Sequence, residues 1–126
     1  MGKGKVLVVD DQSIVRETIE DILNREGYDI SSASSGEEAL EMMHKEKFDI
    51  LLSDIKMPGM SGLELVEKAH HEVPDVVSIL LTAYPSVDSI DQAIIRLGAF
   101  DYLLKPVRRE KLCEIVARAM EQKKSV

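Results

Sequence analysis

Short apolar runs alternate with segments of helical period five times along this chain, and no other feature narrows the possible folds as far. Val6–Val9, Ile50–Ser53 and Val76–Leu81 are nearly continuous apolar stretches, the pattern of strands in a sheet covered on both faces. Ile30–Ala33 is more polar and Phe100–Leu104 is mixed, which places these two nearer the sheet edges. Between the strands, Val15, Ile19, Ile22 and Leu23 share one helical stripe, as do Leu112, Ile115, Val116 and Ala119. Ala39, Leu40 and Met43 mark another helix, and Leu63, Val66 and Ala69 a further one. Ile90, Ala93, Ile94 and Leu97 mark the fourth in chain order.

The boundary residues agree with this alternation. Ser35-Gly-Glu-Glu38 and Ser61-Gly-Leu-Glu64 read as capping boxes, and Gly27 and Gly98 stand where helices should stop. Pro74 precedes a strand and Pro85 a helix, both positions that tolerate proline. Strand–helix alternation with short links implies a parallel sheet with right-handed crossovers and helices on both faces, a three-layer, doubly wound α/β domain. The 126 residues suit one such domain, with a folded core over 5–121 and a tail or the start of a linker at 122–126.

Composition removes several classes of function. A net charge of −7 argues against direct binding to nucleic acid, which needs a basic surface to displace counterions. No run reaches the roughly eighteen apolar residues of a membrane helix, and the start, Met1-Gly-Lys-Gly-Lys5, has no secretory apolar core, so a cytoplasmic location is expected. The single cysteine, Cys113, forms no internal disulfide and reads as a small hydrophobe among Leu112, Ile115 and Val116.

In a sheet of this kind ligands bind beyond the carboxyl ends of the strands. Asp10 and Asp11 follow the first strand and Asp54 the third, ahead of Ile55-Lys-Met-Pro-Gly59. Thr82 and Ala83 follow the fourth, and Lys105-Pro106 the fifth. Taken singly each has an ordinary explanation: Asp11 as a helix cap, Asp54 as a turn residue, Thr82 as a strand end, Lys105 as a solvated cation. Taken together they bring three carboxylates, a hydroxyl and an ammonium to one rim. Two bare carboxylates ~4 Å apart repel by roughly 4 kcal/mol at an effective dielectric of 20. A hard divalent cation relieves that repulsion, and oxygen donors with retained waters suit Mg²⁺ better than zinc. The same set can carry phosphoryl transfer. A carboxylate serves as nucleophile, a lysine neutralises charge, and the Thr82 hydroxyl and Ala83 N–H bind phosphoryl oxygens.

Val8-Val-Asp-Asp11, Ser53-Asp-Ile-Lys-Met-Pro-Gly-Met-Ser-Gly62, Leu81-Thr-Ala83 and Gly98-Ala-Phe-Asp-Tyr-Leu-Leu-Lys-Pro106 resemble, in order and spacing, the receiver domain of bacterial two-component response regulators. The resemblance covers essentially the whole chain. It implies a flavodoxin-like (βα)5 fold with strand order 2-1-3-4-5, acting as a signalling domain and not as an enzyme. It further implies that Asp54 accepts a phosphoryl group from a sensor histidine kinase or phosphotransfer protein. On the same basis Asp11, Asp54 and the Lys56 carbonyl would ligate Mg²⁺, with Asp10 assisting, often through water. Lys105 would pair with the phosphoryl group, and the Lys105–Pro106 bond would be cis. That geometry rests on the resemblance, since only about 5–6% of X–Pro bonds in folded proteins are cis. Thr82 and Tyr102 would form the switch, and the face of the fourth helix, fifth strand and fifth helix would change and could support a homodimer. Lys56 and Tyr84, each two residues beyond a site residue, flank the expected path of a hydrolytic water and are expected to set the phosphoryl lifetime.

The chief rival is an aspartyl-phosphate hydrolase of the haloacid-dehalogenase type, which uses a similar residue set. That family spaces its aspartates two residues apart after the first strand, whereas Asp10 and Asp11 are adjacent, and the chain is short for a substrate-covering cap. A flavin module of the same sheet order would need Ser/Thr/Gly phosphate loops where the two aspartates stand. A receiver that switches without phosphate fits a complete site poorly. His70-His71 lack helical metal-pair spacing, Gly2-Lys-Gly-Lys5 precedes its strand, and Glu37, Glu38, Glu41 and Glu46 read as a solvated face. The Asp54 and Lys105 motifs resemble receivers that precede ATPase-driven transcription activators, so either a stand-alone regulator or one part of a longer protein is expected.

Overall fold

The computed structural model describes residues 2–83, 94 and 96–124. The strands are β1 (Lys5–Val9), β2 (Asp29–Ala33), β3 (Ile50–Asp54), β4 (Val77–Thr82) and β5 (Asp101–Leu104). They form one sheet in the order β2-β1-β3-β4-β5, and every pairing is parallel. The helices among the described residues are α1 (Ser13–Arg25), α2 (Gly36–Lys45), α3 (Gly62–Glu72) and a final helix, Arg109–Lys124. The two more polar strands, β2 and β5, are the edges, as their sequences required. The helix expected at Ile90–Leu97 falls mostly outside the described residues.

Period two along the strands explains why the centres of β1, β3 and β4 carry apolar residues on both faces. Val6, Val8, Ile50, Leu52, Ile79 and Leu81 pack with Ile19 and Leu23 of α1 and with Leu112, Val116 and Ala119 of the final helix. The alternate residues Leu7, Val9, Leu51 and Leu80 pack with Ala39 and Met43 of α2 and Leu65, Val66 and Ala69 of α3. Each strand therefore feeds two cores, and burying such a leucine or isoleucine side chain is worth about 1.5–3 kcal/mol.

The helix starts follow the sequence with two changes. Ser61 and Glu64 form the full capping box of α3. At α2, Ser35 accepts from the Glu38 N–H, but the Glu38 carboxylate reaches one residue further back, to the Ser34 N–H at 2.8 Å. Asp11 does not cap α1: the cap position is Gln12, whose own side chain makes no capping bond. Its N–H is held by Asp10 Oδ1 at 2.9 Å. Residues 122–124, expected as tail, continue the final helix, and Lys123 Nζ donates to the Asp75 carbonyl.

Candidate functional site

Parallel register sets the rim. Val9 lies opposite Ser53, Asp54 opposite Leu81, and Thr82 opposite Leu104, so Asp54 and Thr82, the last residues of β3 and β4, share one end with the residues that follow β1 and β5. Asp10 is wholly buried and hydrogen-bonded on both oxygens: Oδ1 accepts the Gln12 N–H, and Oδ2 accepts Lys105 Nζ at 2.8 Å. The same ammonium lies 3.2 Å from Asp54 Oδ2. Lys105 is brought there by β5 pairing, its N–H donating to the Thr82 carbonyl at 2.9 Å, and the Lys105–Pro106 peptide is cis. Asp54 and Thr82 are buried, whereas Asp11 and Ala83 are exposed at the rim.

One carboxylate oxygen from each of Asp10, Asp11 and Asp54 can be chosen so that all three lie within 4.8 Å of one another. Three oxygen donors, one of them open to solvent and none accompanied by histidine or cysteine, suit a hard and partly hydrated divalent cation. The electrostatics agree. Burial, and then the charge of Asp10, push the Asp54 carboxyl above its ordinary value; Lys105 and the Lys56 N–H pull the other way without cancelling them. Burial opposes the charge on Lys105, but its hydrogen bond to Asp10 and the charges of Asp10 and Asp54 outweigh it and raise its pKa. A cation at this cluster of three carboxylates would hold Asp54 ionised.

The expected residues Asp10, Asp11, Asp54, Thr82, Ala83 and Lys105 thus meet at one rim, with Lys56 two residues beyond Asp54. Tyr102 is half-buried against the core cluster that contains Leu7 and Leu80. Tyr84 lies outside the described residues. Three contributors were not anticipated. Arg16 donates to the Asp10 carbonyl at 2.6 Å, the buried Ser53 hydroxyl donates to the Asp54 carbonyl at 3.0 Å, and Gly62 lies directly against the Asp54–Ile55 backbone. Ser53 and Gly62 bracket the motif around Asp54, and Gly62 is also a poor helix former placed just after a capping serine, but neither carried a role in the sequence. Cys113 is half-buried with its thiol pushed up by burial, the condition of an unreactive cysteine.

The family model for the response regulator receiver domain matches residues 6–117. The chain belongs to this family. Response regulator protein PilR of Pseudomonas aeruginosa is 41% identical over 120 residues, which make up 95% of this chain and 27% of PilR. FleR from the same organism is 39% identical over 114 residues, 90% of this chain and 24% of that protein. The chain thus spans about a quarter of the length of these two regulators. Sporulation initiation phosphotransferase F of Bacillus subtilis, by contrast, is matched over 95% of its length at 33% identity, with 94% of this chain covered. Among solved structures, a receiver domain protein from Methanospirillum hungatei superposes with a TM-score of 0.91 at 33% identity, covering 97% of each chain. The receiver domain therefore accounts for the fold and for the chain's place in two-component signalling, and no helix of the described residues is long and apolar enough to cross a membrane.

Proposed function

We propose that this receiver domain accepts a phosphoryl group on Asp54 in a Mg²⁺-dependent reaction, from a phosphohistidine on a sensor histidine kinase or phosphotransfer protein. The observation that carries this reading is the Lys105 ammonium shared between the buried carboxylates of Asp10 and Asp54, with Asp11 completing an oxygen cluster beside them. Asp10, Asp11, Asp54 and the Lys56 carbonyl would hold Mg²⁺, which supplies charge neutralisation to the transferring group. An Asp54 carboxylate oxygen attacks phosphorus, the N–P bond breaks, and its electron pair stays on the departing imidazole nitrogen. Lys105 Nζ, the Thr82 hydroxyl and the Ala83 N–H bind the oxygens of the group as it arrives.

The switch reading rests on sheet parity. Tyr102 is the register partner of Leu80, and Thr82 lies two residues beyond Leu80, so Thr82 and Tyr102 share one face of the sheet. A Thr82 side chain drawn toward the phosphoryl group makes room on that face for the Tyr102 ring to turn inward. The surface of β5 and the final helix then presents itself differently to a partner or to a second copy. Lys56 and Tyr84, two residues beyond Asp54 and Thr82 in sequence, tune the lifetime of the acyl phosphate. If exchanging both for small residues leaves autodephosphorylation unchanged, this role is wrong.

Incubation with acetyl phosphate and MgCl₂ should add one phosphoryl mass to the chain, while Asp54→Ala gains none. No mass gain in the unmodified chain would overturn the assignment. Sustained turnover of small phosphate esters would favour the hydrolase reading instead.

A further inference from the structure

We infer that Gly62 and Ser53 are positioning residues for the cation site, fixing the Asp54–Ile55 peptide from two sides. This inference rests on the proposed Mg²⁺ reading. A Cβ at Gly62 would stand 2.0 Å from the Asp54 carbonyl oxygen, 2.8 Å from its carbon and 2.9 Å from Ile55 Cα. All three are backbone atoms, so no side chain can swing aside to make space. Gly62 is the first residue of α3 and does not have a left-handed φ, so its conformation would admit any residue. Alanine is also the better helix former. The glycine is explained by contact alone.

The other groups around that peptide are also held. Ser53 Oγ donates to the Asp54 carbonyl at 3.0 Å. The Ile55 N–H donates to the Leu81 carbonyl at 3.0 Å, and the Ile55 carbonyl accepts the Gly62 N–H at 2.8 Å. The Asp54 carboxylate and the Lys56 carbonyl hang on the two sides of this locked unit. Their mutual placement toward a cation is therefore set by how closely α3 seats on the end of β3. A Cβ at position 62 must lift α3 or tilt the peptide, and either motion separates the two donors. Loss of the Ser53 hydroxyl frees the same carbonyl without introducing a clash.

The test is calorimetric titration of MgCl₂ into the EDTA-stripped, desalted 126-residue chain, compared with Gly62→Ala and Ser53→Ala. Each protein is held far below its own unfolding midpoint, and the midpoints are measured separately without Mg²⁺. Gly62→Ala should weaken the Mg²⁺ Kd by about tenfold, the scale of losing a group that orients a metal ligand, and Ser53→Ala should weaken it less but in the same direction. A merely structural role would lower the midpoints and leave both Kd values unchanged, which would overturn the inference. If Gly62→Ala does not fold, Ser53→Ala decides alone, and an unchanged Kd there is fatal. Failure of the unmodified chain to take up Mg²⁺ would remove the cation reading itself, a result distinct from normal uptake that the variants leave unaltered.

Discussion

Lys105 is the side chain on which the site's electrostatics turn, because it stands within hydrogen-bond or ion-pair distance of both Asp10 and Asp54. Removing one partner from a buried ionic group ordinarily costs 3–5 kcal/mol. Lys105 is partly exposed, so Lys105→Met should destabilise the metal-free protein by about 2–3 kcal/mol, read from urea unfolding, with Mg²⁺ restoring part of the loss. The variant should also take phosphate from acetyl phosphate about a hundredfold more slowly, as expected for removing one donor to the transferring group. Asp54 gives a second expectation, in pH. Its carboxyl is raised from 3.8 by burial and then by Asp10, so above that value the folded chain holds its proton more tightly than the unfolded chain does. Metal-free stability attributable to Asp54 therefore falls as pH rises from about 3.8 through the raised value. Mg²⁺ requires the ionised form, so the midpoint gain on adding MgCl₂ should be full at neutral pH and fade on acidification. A gain that grows toward low pH would contradict this. The aspartates, Thr82 and Lys105 were legible in the sequence because strand ends fix where a side chain must emerge. Arg16 and Ser53 were not, because both act on main-chain carbonyls whose positions depend on the assembled fold.

At the scale of elements, the loop between β3 and α3 is held at both ends by small residues and caps. Met60 lies so close to Gly36, the first residue of α2, that a Cβ there would meet its Sδ at 2.9 Å. The capping box of Ser61 and Glu64 fixes where α3 begins. Ser61→Ala should cost about 1 kcal/mol of global stability in thermal or urea unfolding, the usual value of an N-cap. Ser35→Ala should cost a similar amount, because at each helix start the glutamate carboxylate holds a backbone N–H independently of the lost hydroxyl. A much larger loss at either position would mean that its glutamate contact depends on the serine hydroxyl. Serine followed three residues later by glutamate was enough to locate both helix starts. It could not say which N–H the Glu38 carboxylate would choose, since that depends on how β2 leads into the turn. The start of α1 was harder to read: an aspartate before a helix looks like a cap, yet Asp11 stands open at the rim and Asp10 supplies the acceptor. The end of the final helix was also hidden, because polar residues such as Gln122 and Lys123 read as tail until the Asp75 carbonyl is seen beside Lys123.

Over the whole molecule, one sheet separates two cores, and the two proposed switch residues lie on one side of it. Thr82 and Tyr102 lie on the face that α2 and α3 cover, while α1 and the final helix pack on the other. The proposed rearrangement starts on the first face and reaches the final helix through β5, whose Leu103 packs in the second core with Leu112 and Val116. Tyr102 is half-buried and β5 is an edge strand, so the cost of turning the ring is small compared with moving a core side chain. Strand parity, and so the sharing of a face, follows from the sequence once β4 and β5 are aligned; the alignment itself required the structure, because β5 is short and mixed. Separating chemistry from readout gives a last expectation. Tyr102→Ala makes no contact that phosphoryl transfer needs, so Asp54 should still gain phosphate from acetyl phosphate at a rate close to that of the unmodified chain. Any phosphorylation-dependent change in sedimentation, such as formation of a dimer through β5 and the final helix, should be lost. Sedimentation of the unmodified chain, Tyr102→Ala and Asp54→Ala, each with and without acetyl phosphate and MgCl₂, distinguishes the cases. If Tyr102→Ala still responds in full, the ring is a passenger on the edge strand. If instead it fails to take phosphate, chemistry and readout are not separate.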